Sequence, residues 1–325
     1  MDQQSAVLDA QKKISRYVRE TPLELSPYLG ELGNCEVFLK CENFQTTGSF
    51  KLRGATNKLL SLKTSELRRG LVTASSGNHG NAFAYITKIF GARGRIILPE
   101  NASPAKVEAL RYWGTEVEFY GNDCVQAECF ARDSAAKRGE VFISPYNDPH
   151  IIGGQGTVGV EIKSQMNALC PGRKIDTVLV PVGGGGLISG IAGYLKSIDK
   201  HIEIIGCQPE NSAVMFESIK AGKIISMDSK PTISDGTAGG IEPGAITFDL
   251  CQRLIDDMVL VSENEIKEAL RLILERHHML VEGAGALTVA VFLKDPARFE
   301  KKNVVLILSG RKISISQLKE ILCEV

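Results

Sequence analysis

Residues 177–190 read Thr-Val-Leu-Val-Pro-Val-Gly-Gly-Gly-Gly-Leu-Ile-Ser-Gly. Residues 178–182 form an unbroken apolar run, and strands of that kind are buried on both faces, as in parallel sheets. Four consecutive glycines follow, and a helical pattern begins directly after them. This stretch therefore predicts a buried strand, a glycine turn and a helix, which together form the repeating unit of an α/β fold.

Short apolar runs of the same kind recur along the chain between helical patterns. They predict strands at Val37–Leu39, Leu71–Thr73, Arg95–Leu98, Val117–Phe119, Val141–Ile143, Val178–Val182, Ile204–Cys207, Val259–Val261 and Val304–Leu308. Two helix starts are also marked, by an N-cap before proline at Ser103-Pro104 and by a capping box at Ser262–Glu265. Alternation of strands and helices over the whole length predicts an α/β fold with mostly parallel sheets.

Length and charge argue against several classes of protein. The chain has 325 residues, which suggests about two domains at roughly 150 residues each. Its 38 basic side chains balance 38 acidic ones, so neither a broad nucleic-acid-binding surface nor an anionic membrane is expected as a partner. No apolar run approaches the length of a membrane span. The N-terminal Met1-Asp2-Gln3-Gln4 also lacks the pattern of a secretory signal.

The eight cysteines are scattered, with neither a C-x-x-C nor a C-x-x-H spacing among them. In a chain of this length, that pattern predicts reduced thiols in the cytoplasm rather than a disulfide framework. We interpret most of them as small apolar residues buried in the core.

Gly183–Gly186 predicts a phosphate site. Four glycines in a row cost backbone entropy and supply no side-chain packing, so they are expected where the main chain wraps an anion. The helix that starts behind them adds a favourable dipole. The spacing does not fit the dinucleotide fingerprint, because Ile188 stands where its last glycine belongs, and the Gly-Lys-Ser/Thr of a nucleotide P-loop is missing.

Three other loops carry candidate chemistry. Lys51 follows a Gly-Ser turn and a phenylalanine at a helix start, and a lysine amine can form a Schiff base when burial or charge lowers its pKa. Ser75–Gly80 follows a strand and opens a helix, where main-chain N–H groups favour a carboxylate. Ser309 ends the last strand, at the position where α/β sheets hold ligands. Each loop taken alone is explained as well or better by an ordinary turn or a solvated side chain, so the inference rests on their combination.

Together the loops fit the binding of one cofactor: a lysine can react with an aldehyde, the glycine loop can bind a phosphate, and a polar residue can contact a ring atom. The sequence resembles the fold-type II pyridoxal-phosphate enzymes, and within them the serine/threonine dehydratase and serine racemase group. The resemblance runs from Thr21 to Ser309 and includes the motifs Ser49–Ala55, Ser75–Gly80, Pro181–Gly186, Asp235-Gly236, Glu282–Ala286 and Leu308–Gly310.

The resemblance implies two three-layer α/β domains with mostly parallel sheets, of the tryptophan synthase β-like type, with the cofactor between them. The large, cofactor-binding domain is expected to hold residues 1–66 and 148–325. The small, substrate-binding domain is expected to hold residues 67–147.

The resemblance also implies a role for each matching residue. Lys51 forms the Schiff base with pyridoxal phosphate and later moves the α-proton, while Ser76 faces Lys51 across the cofactor as the second catalytic residue. The other residues implied at the cofactor are Phe50 on the ring, Asn78 at the ring hydroxyl, Gly183, Gly184, Gly185 and Gly186 at the phosphate, Gly236 and Glu282 nearby, and Ser309 at the ring nitrogen. The residues implied at the substrate carboxylate are Ser75, Ser76, Asn78 and His79.

Two departures from the family pattern matter. After the last strand, Arg311 and Lys312 replace the usual Gly-Asn, which changes the loop beside Ser309. Racemases and some relatives have acidic metal ligands at two positions that are Gln208 and Val214 here. Because both carboxylates are missing, we expect no metal at that place.

These observations predict a cytoplasmic ammonia-lyase that converts L-threonine or L-serine to a 2-oxo acid and ammonia by β-elimination. A hydroxyl at the ring nitrogen stabilises a carbanion less than a carboxylate does, which suits elimination. The alternatives are a serine racemase, a dehydratase of another 3-hydroxy amino acid such as 3-hydroxyaspartate or phenylserine, and, more remotely, a non-catalytic binding protein on the same fold. The resemblance further implies a homodimer or homotetramer that binds a small amino acid, with no nucleic acid or membrane as partner.

Overall fold

The computed structural model describes residues 2–323, so Met1 and residues 324–325 at the ends of the predicted large domain lie outside the described part. The ten strands within this range are β1 Leu23–Leu25, β2 Glu36–Lys40, β3 Leu71–Ala74, β4 Gly94–Leu98, β5 Glu116–Phe119, β6 Val141–Phe142, β7 Thr177–Pro181, β8 Glu203–Pro209, β9 Asp257–Val261 and β10 Asn303–Ile307. The fourteen α-helices in the same range are α1 Gln3–Ile14, α2 Pro27–Gly33, α3 Lys51–Leu60, α4 Thr64–Arg69, α5 Asn78–Phe90, α6 Pro104–Arg111, α7 Cys124–Arg138, α8 Pro149–Leu169, α9 Gly186–Ile198, α10 Val214–Ala221, α11 Ile246–Leu254, α12 Glu263–His277, α13 Gly283–Lys294 and α14 Ile315–Cys323.

The strands form two sheets. The large sheet has the order β1-β2-β10-β7-β8-β9, with β1 antiparallel to β2 and every other pairing parallel. The small sheet has the order β5-β4-β3-β6 and is parallel throughout. All nine predicted strands are present, and the α/β class with mostly parallel sheets is confirmed. The limits of the small domain at residues 67 and 147 stay a prediction.

Strand β1 is the one that the sequence did not reveal. It is three residues long, and only Leu23 of the three is buried. A half-exposed edge strand carries neither a continuous apolar run nor a long alternation, so its sequence has no strand signal.

The inner strands of the large sheet, β2, β10, β7 and β8, are buried on both faces, which explains their continuous apolar sequences. Val178, Val180 and Val182 pack into one hydrophobic cluster, while Leu179 between them packs into a second cluster on the opposite face. Side chains alternate across a strand, so a strand covered by helices on both sides must be apolar at every position.

The cysteines are less buried than the sequence analysis predicted. All eight thiols are free; three of them are buried, namely Cys41, Cys207 and Cys251, two are half-buried and three are exposed. None of the helices in residues 2–323 has both the length and the hydrophobicity that a membrane crossing requires.

Helix α3 lies against α8 at very short range. A Cβ atom on Gly54 would lie 2.9 Å from the carbonyl oxygen of Ile151 and would also meet the Gln155 side chain, so glycine favours this approach. The Gln155 side chain accepts a hydrogen bond from the Gly54 N–H instead. Because Lys51 is the first residue of α3, this contact between the helices helps to fix the position of Lys51.

A buried ion cluster fixes α3 more strongly. The Arg53 guanidinium donates to both carboxylate oxygens of Glu42 and of Glu161 at 2.6–2.8 Å. Lys40 adds a second cation, 2.6 Å from Glu161. All four side chains are at most 4% exposed. The two positive and two negative charges balance, so no charge in the cluster is left buried without a partner.

We therefore expect Arg53→Met to be strongly destabilising. It would leave two carboxylates facing the single charge of Lys40, and breaking a buried ion pair typically costs about 3–5 kcal/mol. Urea unfolding followed by circular dichroism measures the effect. Arg298→Met is the control, because Arg298 also holds two carboxylates but is 28% exposed and should lose about 1 kcal/mol or less. Equal losses in the two variants would contradict the role given to the cluster.

Candidate active site

The predicted site residues come together through a chain of contacts where several strands end. The Phe50 N–H donates to the Ser309 carbonyl at 3.2 Å, which joins the loop directly before Lys51, here called the lysine loop, to the end of β10. Asn78 Nδ2 donates to Glu282 Oε1 at 2.7 Å, and a Cβ on Gly236 would lie 3.3 Å from that same oxygen. The lysine loop, the Ser75–Gly80 loop and the Glu282 loop therefore lie around one space.

Lys51 is the first residue of α3, and its side chain is half-buried. Its Nζ donates to the Pro145 carbonyl at 2.9 Å and lies 5.2 Å from the centre of the Phe50 ring. Burial lowers the pKa of Lys51 to about 8, and the charge of Glu282 opposes that shift only partly. An amine with this pKa exists in part as the neutral nucleophile near neutral pH, which is the requirement for a Schiff base.

Gly183–Gly186 connects β7 to α9 and forms a cradle of main-chain N–H groups. Gly185 has a φ of +85°, a left-handed conformation that favours glycine. Among the described residues, none accepts a hydrogen bond from the N–H groups of these four glycines. Unpaired N–H groups at the start of a thirteen-residue helix fit a phosphate group. The residues present therefore suit the phosphate of the predicted cofactor.

Tyr146 borders this cradle and was not found by sequence reasoning. A Cβ on Gly184 would lie 2.5 Å from its ring, and its hydroxyl accepts the Glu242 N–H at 2.8 Å. The neighbouring Pro145 is the residue whose carbonyl holds Lys51. No local motif marks this segment, since its contacts are made with residues about 40 to 100 positions away in the chain.

The Ser75–Gly77 turn leaves the first turn of α5 free to bind an anion. No side chain caps this helix, and within residues 2–323 the N–H groups of Asn78 and His79 have no hydrogen-bond partner. Ser75 Oγ accepts the Gly77 N–H at 3.3 Å, which shapes the turn. The Oδ1 atom of Asn78 is also buried without a partner.

The ring of His79 is neutral. Burial, together with the charge of Lys51, lowers the pKa of His79 to about 3. Its Nε2 lies 3.2 Å from the Ile143 carbonyl, and because a carbonyl only accepts hydrogen bonds, Nε2 carries the proton. The free Nδ1 is then an acceptor, so we expect His79 to bind a carboxylate through its main-chain N–H and not through its ring.

Glu282 joins several parts of the site. Besides the bond from Asn78, its Oε2 accepts the Lys312 N–H at 2.8 Å. Burial, and secondarily the charge of Asp235, raise the pKa of Glu282 to about 7. Its carboxyl group is therefore partly protonated at neutral pH.

The surroundings of Ser309 differ from those of Gln208 and Val214, the two positions at which racemases have acidic residues. Ser309 is 2% exposed, and in the described part of the chain no group hydrogen-bonds its Oγ, so the hydroxyl is available to a ligand. Gln208 accepts the Phe216 N–H at 2.8 Å, and Val214 lies in the hydrophobic core. Among residues 2–323, no group of three or more His, Cys, Asp or Glu side chains is arranged to hold a metal ion.

The raised pKa of Glu282 predicts a pH-dependent stability of the cofactor-free protein. Between its ordinary pKa of 4.5 and about 7, the folded state holds a proton that the unfolded state has released. The free energy of unfolding should therefore fall as the pH rises through this window, by roughly 3 kcal/mol from this group. His79, whose pKa is lowered, contributes a rise over the lower part of the range, so the test compares variants. Between about pH 5 and about pH 8, the free energy of unfolding measured with urea should change less unfavourably in Glu282→Gln than in the wild-type protein. The exposed Glu300→Gln should behave as the wild-type protein does, and an unchanged pH dependence in Glu282→Gln would refute the assignment.

Comparison with known proteins confirms the family resemblance. The family model described as pyridoxal-phosphate dependent enzyme matches residues 14–310. The L-threonine ammonia-lyase of Thermotoga maritima is 39% identical over 316 residues, which cover 97% of this chain and 77% of that protein. The catabolic L-threonine dehydratase TdcB of Escherichia coli is 37% identical over 317 residues, which cover 97% of this chain and 94% of that protein.

Solved structures agree with the sequence comparisons. Maize serine racemase superposes with a TM-score of 0.90 at 33% identity, covering 98% of this chain and 96% of that one. The processed threonine deaminase isoform 2 of Solanum lycopersicum superposes with a TM-score of 0.92 at 32% identity, covering 98% of this chain and 87% of that one. The predicted fold and the predicted cofactor are thereby confirmed. The chain belongs to the pyridoxal-phosphate-dependent enzymes of fold-type II.

Proposed function

We propose that this protein is an ammonia-lyase that converts L-threonine to 2-oxobutanoate, or L-serine to pyruvate, with release of ammonia. The observation that carries this proposal is the amine of Lys51, with its pKa lowered to about 8, in a space shared by the unpaired N–H groups of α5 and the hydroxyl of Ser309. The threonine ammonia-lyase and dehydratase that this chain resembles at 37–39% identity support the substrate class.

The residues of the site divide into those that hold the cofactor and those that hold the substrate. We assign Gly183–Gly186 to the phosphate, Lys51 and Phe50 to the aldehyde end and the ring, and Asn78, Gly236 and Glu282 to positions around the ring. When bound, pyridoxal phosphate withdraws electrons from the α-carbon of the amino acid and so makes its proton removable. The N–H groups at the start of α5, with Ser75 and Ser76, hold the substrate carboxylate.

Lys51 then moves the proton. A base works best when its pKa lies near the working pH, and the pKa of about 8 meets that condition. Loss of the α-proton and of the β-hydroxyl as water leaves an enamine, which tautomerises and hydrolyses to the 2-oxo acid and ammonia. Ser309 offers a hydroxyl and not a carboxylate to the ring nitrogen, which favours rapid departure of the leaving group over a long-lived carbanion.

The second candidate is a serine racemase. Ser76 is its supporting residue, because racemisation needs a proton delivered on the face opposite Lys51. Serine racemases of maize and Dictyostelium discoideum are structural neighbours at 33% and 32% identity. Lyases of other 3-hydroxy amino acids, including phenylserine, remain further candidates, whereas the reactive lysine argues against a non-catalytic binding protein.

We also propose a cytoplasmic location and a homodimeric or homotetrameric state. The eight free thiols support the first. The second follows from the family resemblance and is tested by light scattering.

Lys51→Ala should abolish turnover. The purified wild-type protein should be yellow, with an absorbance band at ~410–420 nm from the bond between cofactor and lysine, and the variant should lose this band. Release of 2-oxo acid should fall on the order of 10³-fold or more. Lys58→Ala is the matched control, because Lys58 lies on the same helix but pairs with Asp148, and it should keep both properties. Normal turnover in Lys51→Ala would show that another group is the base.

Ser76→Ala should separate the lyase from the racemase. In elimination from L-serine the α-proton is moved by Lys51 alone, so the variant should keep a substantial rate, lowered only as far as in Ser75→Ala by the lost carboxylate contact. Any formation of D-serine and any elimination from D-serine should disappear. Chiral chromatography and a 2-oxo acid assay on one L-serine incubation measure both products. Ser75→Ala, which removes a carboxylate contact only, should lower both products alike. Racemisation that outpaces elimination by a wide margin in the wild-type protein would overturn the lyase assignment.

A further inference from the structure

The loop after Ser309 places a cation beside the substrate-binding turn. Lys312 stands where the family usually has asparagine. Its N–H donates to Glu282 Oε2 at 2.8 Å, which anchors its main chain in the site. Its Nζ lies 3.3 Å from the carbonyl oxygen of Ser76, at the turn that precedes α5. The ammonium group of Lys312 therefore lies at the edge of the site, next to the turn that precedes α5.

No carboxylate in residues 2–323 forms an ion pair with the ammonium group of Lys312. Within residues 2–323, the Ser76 carbonyl is its one hydrogen-bond partner, so two of its three donors are unused. The nearest acidic groups are already occupied. Asp235 forms an ion pair with Lys106 at 3.1 Å, and Glu282 is partly protonated and bonded to Asn78 and to the Lys312 main chain.

The balance of charge at the mouth of the site is positive. Burial, followed by the charge of Lys106, lowers the pKa of Lys312 to about 8, so the ammonium form still predominates at neutral pH. Lys106 forms an ion pair with Asp235, whereas Lys312 feels the charges of Glu282 and Asp235 only from beyond ion-pair distance. A half-buried ammonium group without a directly paired carboxylate gains from a ligand that supplies one.

The α-carboxylate of the substrate does not need this charge. The unpaired N–H groups at the start of α5, which has thirteen residues, already form a site for one carboxylate. Lys312 adds a full positive charge next to that site. An amino acid with a second carboxylate on its side chain can therefore bind the N–H groups of α5 with one carboxylate and the ammonium group of Lys312 with the other.

We propose that Lys312 is a specificity-determining residue that binds a side-chain carboxylate, so that the enzyme accepts acidic 3-hydroxy amino acids, of which 3-hydroxyaspartate is the smallest. This inference rests on the proposed lyase function and extends its substrate class. In the reaction the α-carbon loses its proton to Lys51, and the bond from the β-carbon to its hydroxyl breaks with loss of water. One water is consumed when the enamine, after tautomerising, is hydrolysed to oxaloacetate and ammonia.

The test compares the wild-type holoenzyme with Lys312→Asn and Lys312→Arg. Asparagine keeps a donor for the Ser76 carbonyl but has no charge, and arginine keeps the charge. With L-threo-3-hydroxyaspartate, kcat/KM should fall on the order of 10- to 100-fold in Lys312→Asn, as expected for a lost charged hydrogen bond. With L-serine it should change less than about 3-fold, and Lys312→Arg should retain activity on both. Lys294→Met is the control, because Lys294 likewise donates to a main-chain carbonyl, that of Leu260, but away from these loops.

A binding measurement tests the same residue without turnover. Malonate, a dicarboxylate without an amine, should raise the melting temperature of the wild-type holoenzyme more than propionate does, and Lys312→Asn should lose that difference. An equal loss of kcat/KM for all substrates, or an altered cofactor absorbance with unchanged selectivity, would overturn the assignment. If the wild-type enzyme releases no 2-oxo acid from any substrate, the lyase proposal fails, and the malonate comparison still decides the role of Lys312.

Discussion

The buried charge cluster around Arg53 is the constraint on which the site depends. Arg53 stands two residues after Lys51 on α3, and its planar guanidinium reaches one carboxylate before α3 and one on α8. This bidentate geometry fixes the direction as well as the position of the helix start. The start of α3, and with it the amine of Lys51, is therefore positioned in part by an interaction that lies outside the site.

The parallel sheets bring the remaining groups to Lys51. In a parallel sheet the carboxyl ends of the strands share one edge, so the loops after β7 and β10 meet there, and the small sheet adds the loop after β3. Each of these loops contributes a different chemical property. The glycine cradle gives N–H groups, the start of α5 gives a second set of N–H groups, and Ser309 gives a hydroxyl. Lys51 supplies an amine whose pKa is lowered by burial.

The sequence reveals the parts that depend on local patterns and misses those that depend on distant contacts. The strands β2, β4, β7, β8 and β10 are predictable because burial on both faces makes them almost continuously apolar. The other predicted strands still carry a short apolar run, whereas β1, a half-exposed edge, has none. Lys51 and Gly183–Gly186 are recognisable as candidates in the sequence because their chemistry is unusual for a loop. The position of Tyr146 over the cradle is not, since nothing near it in the chain differs from an ordinary turn, and burial of the cysteines depends on helix packing that composition does not show.

The four unpaired N–H groups of the cradle have a consequence for the life of the protein in the cell. Polar groups that lack a partner destabilise a folded chain, and a phosphate that satisfies them binds the native state alone. Folding and cofactor supply are then linked, because protein that has not yet received its cofactor is expected to open more often than loaded protein. Since proteases act on opened chains, we expect the cofactor-free protein to be degraded faster than the loaded protein.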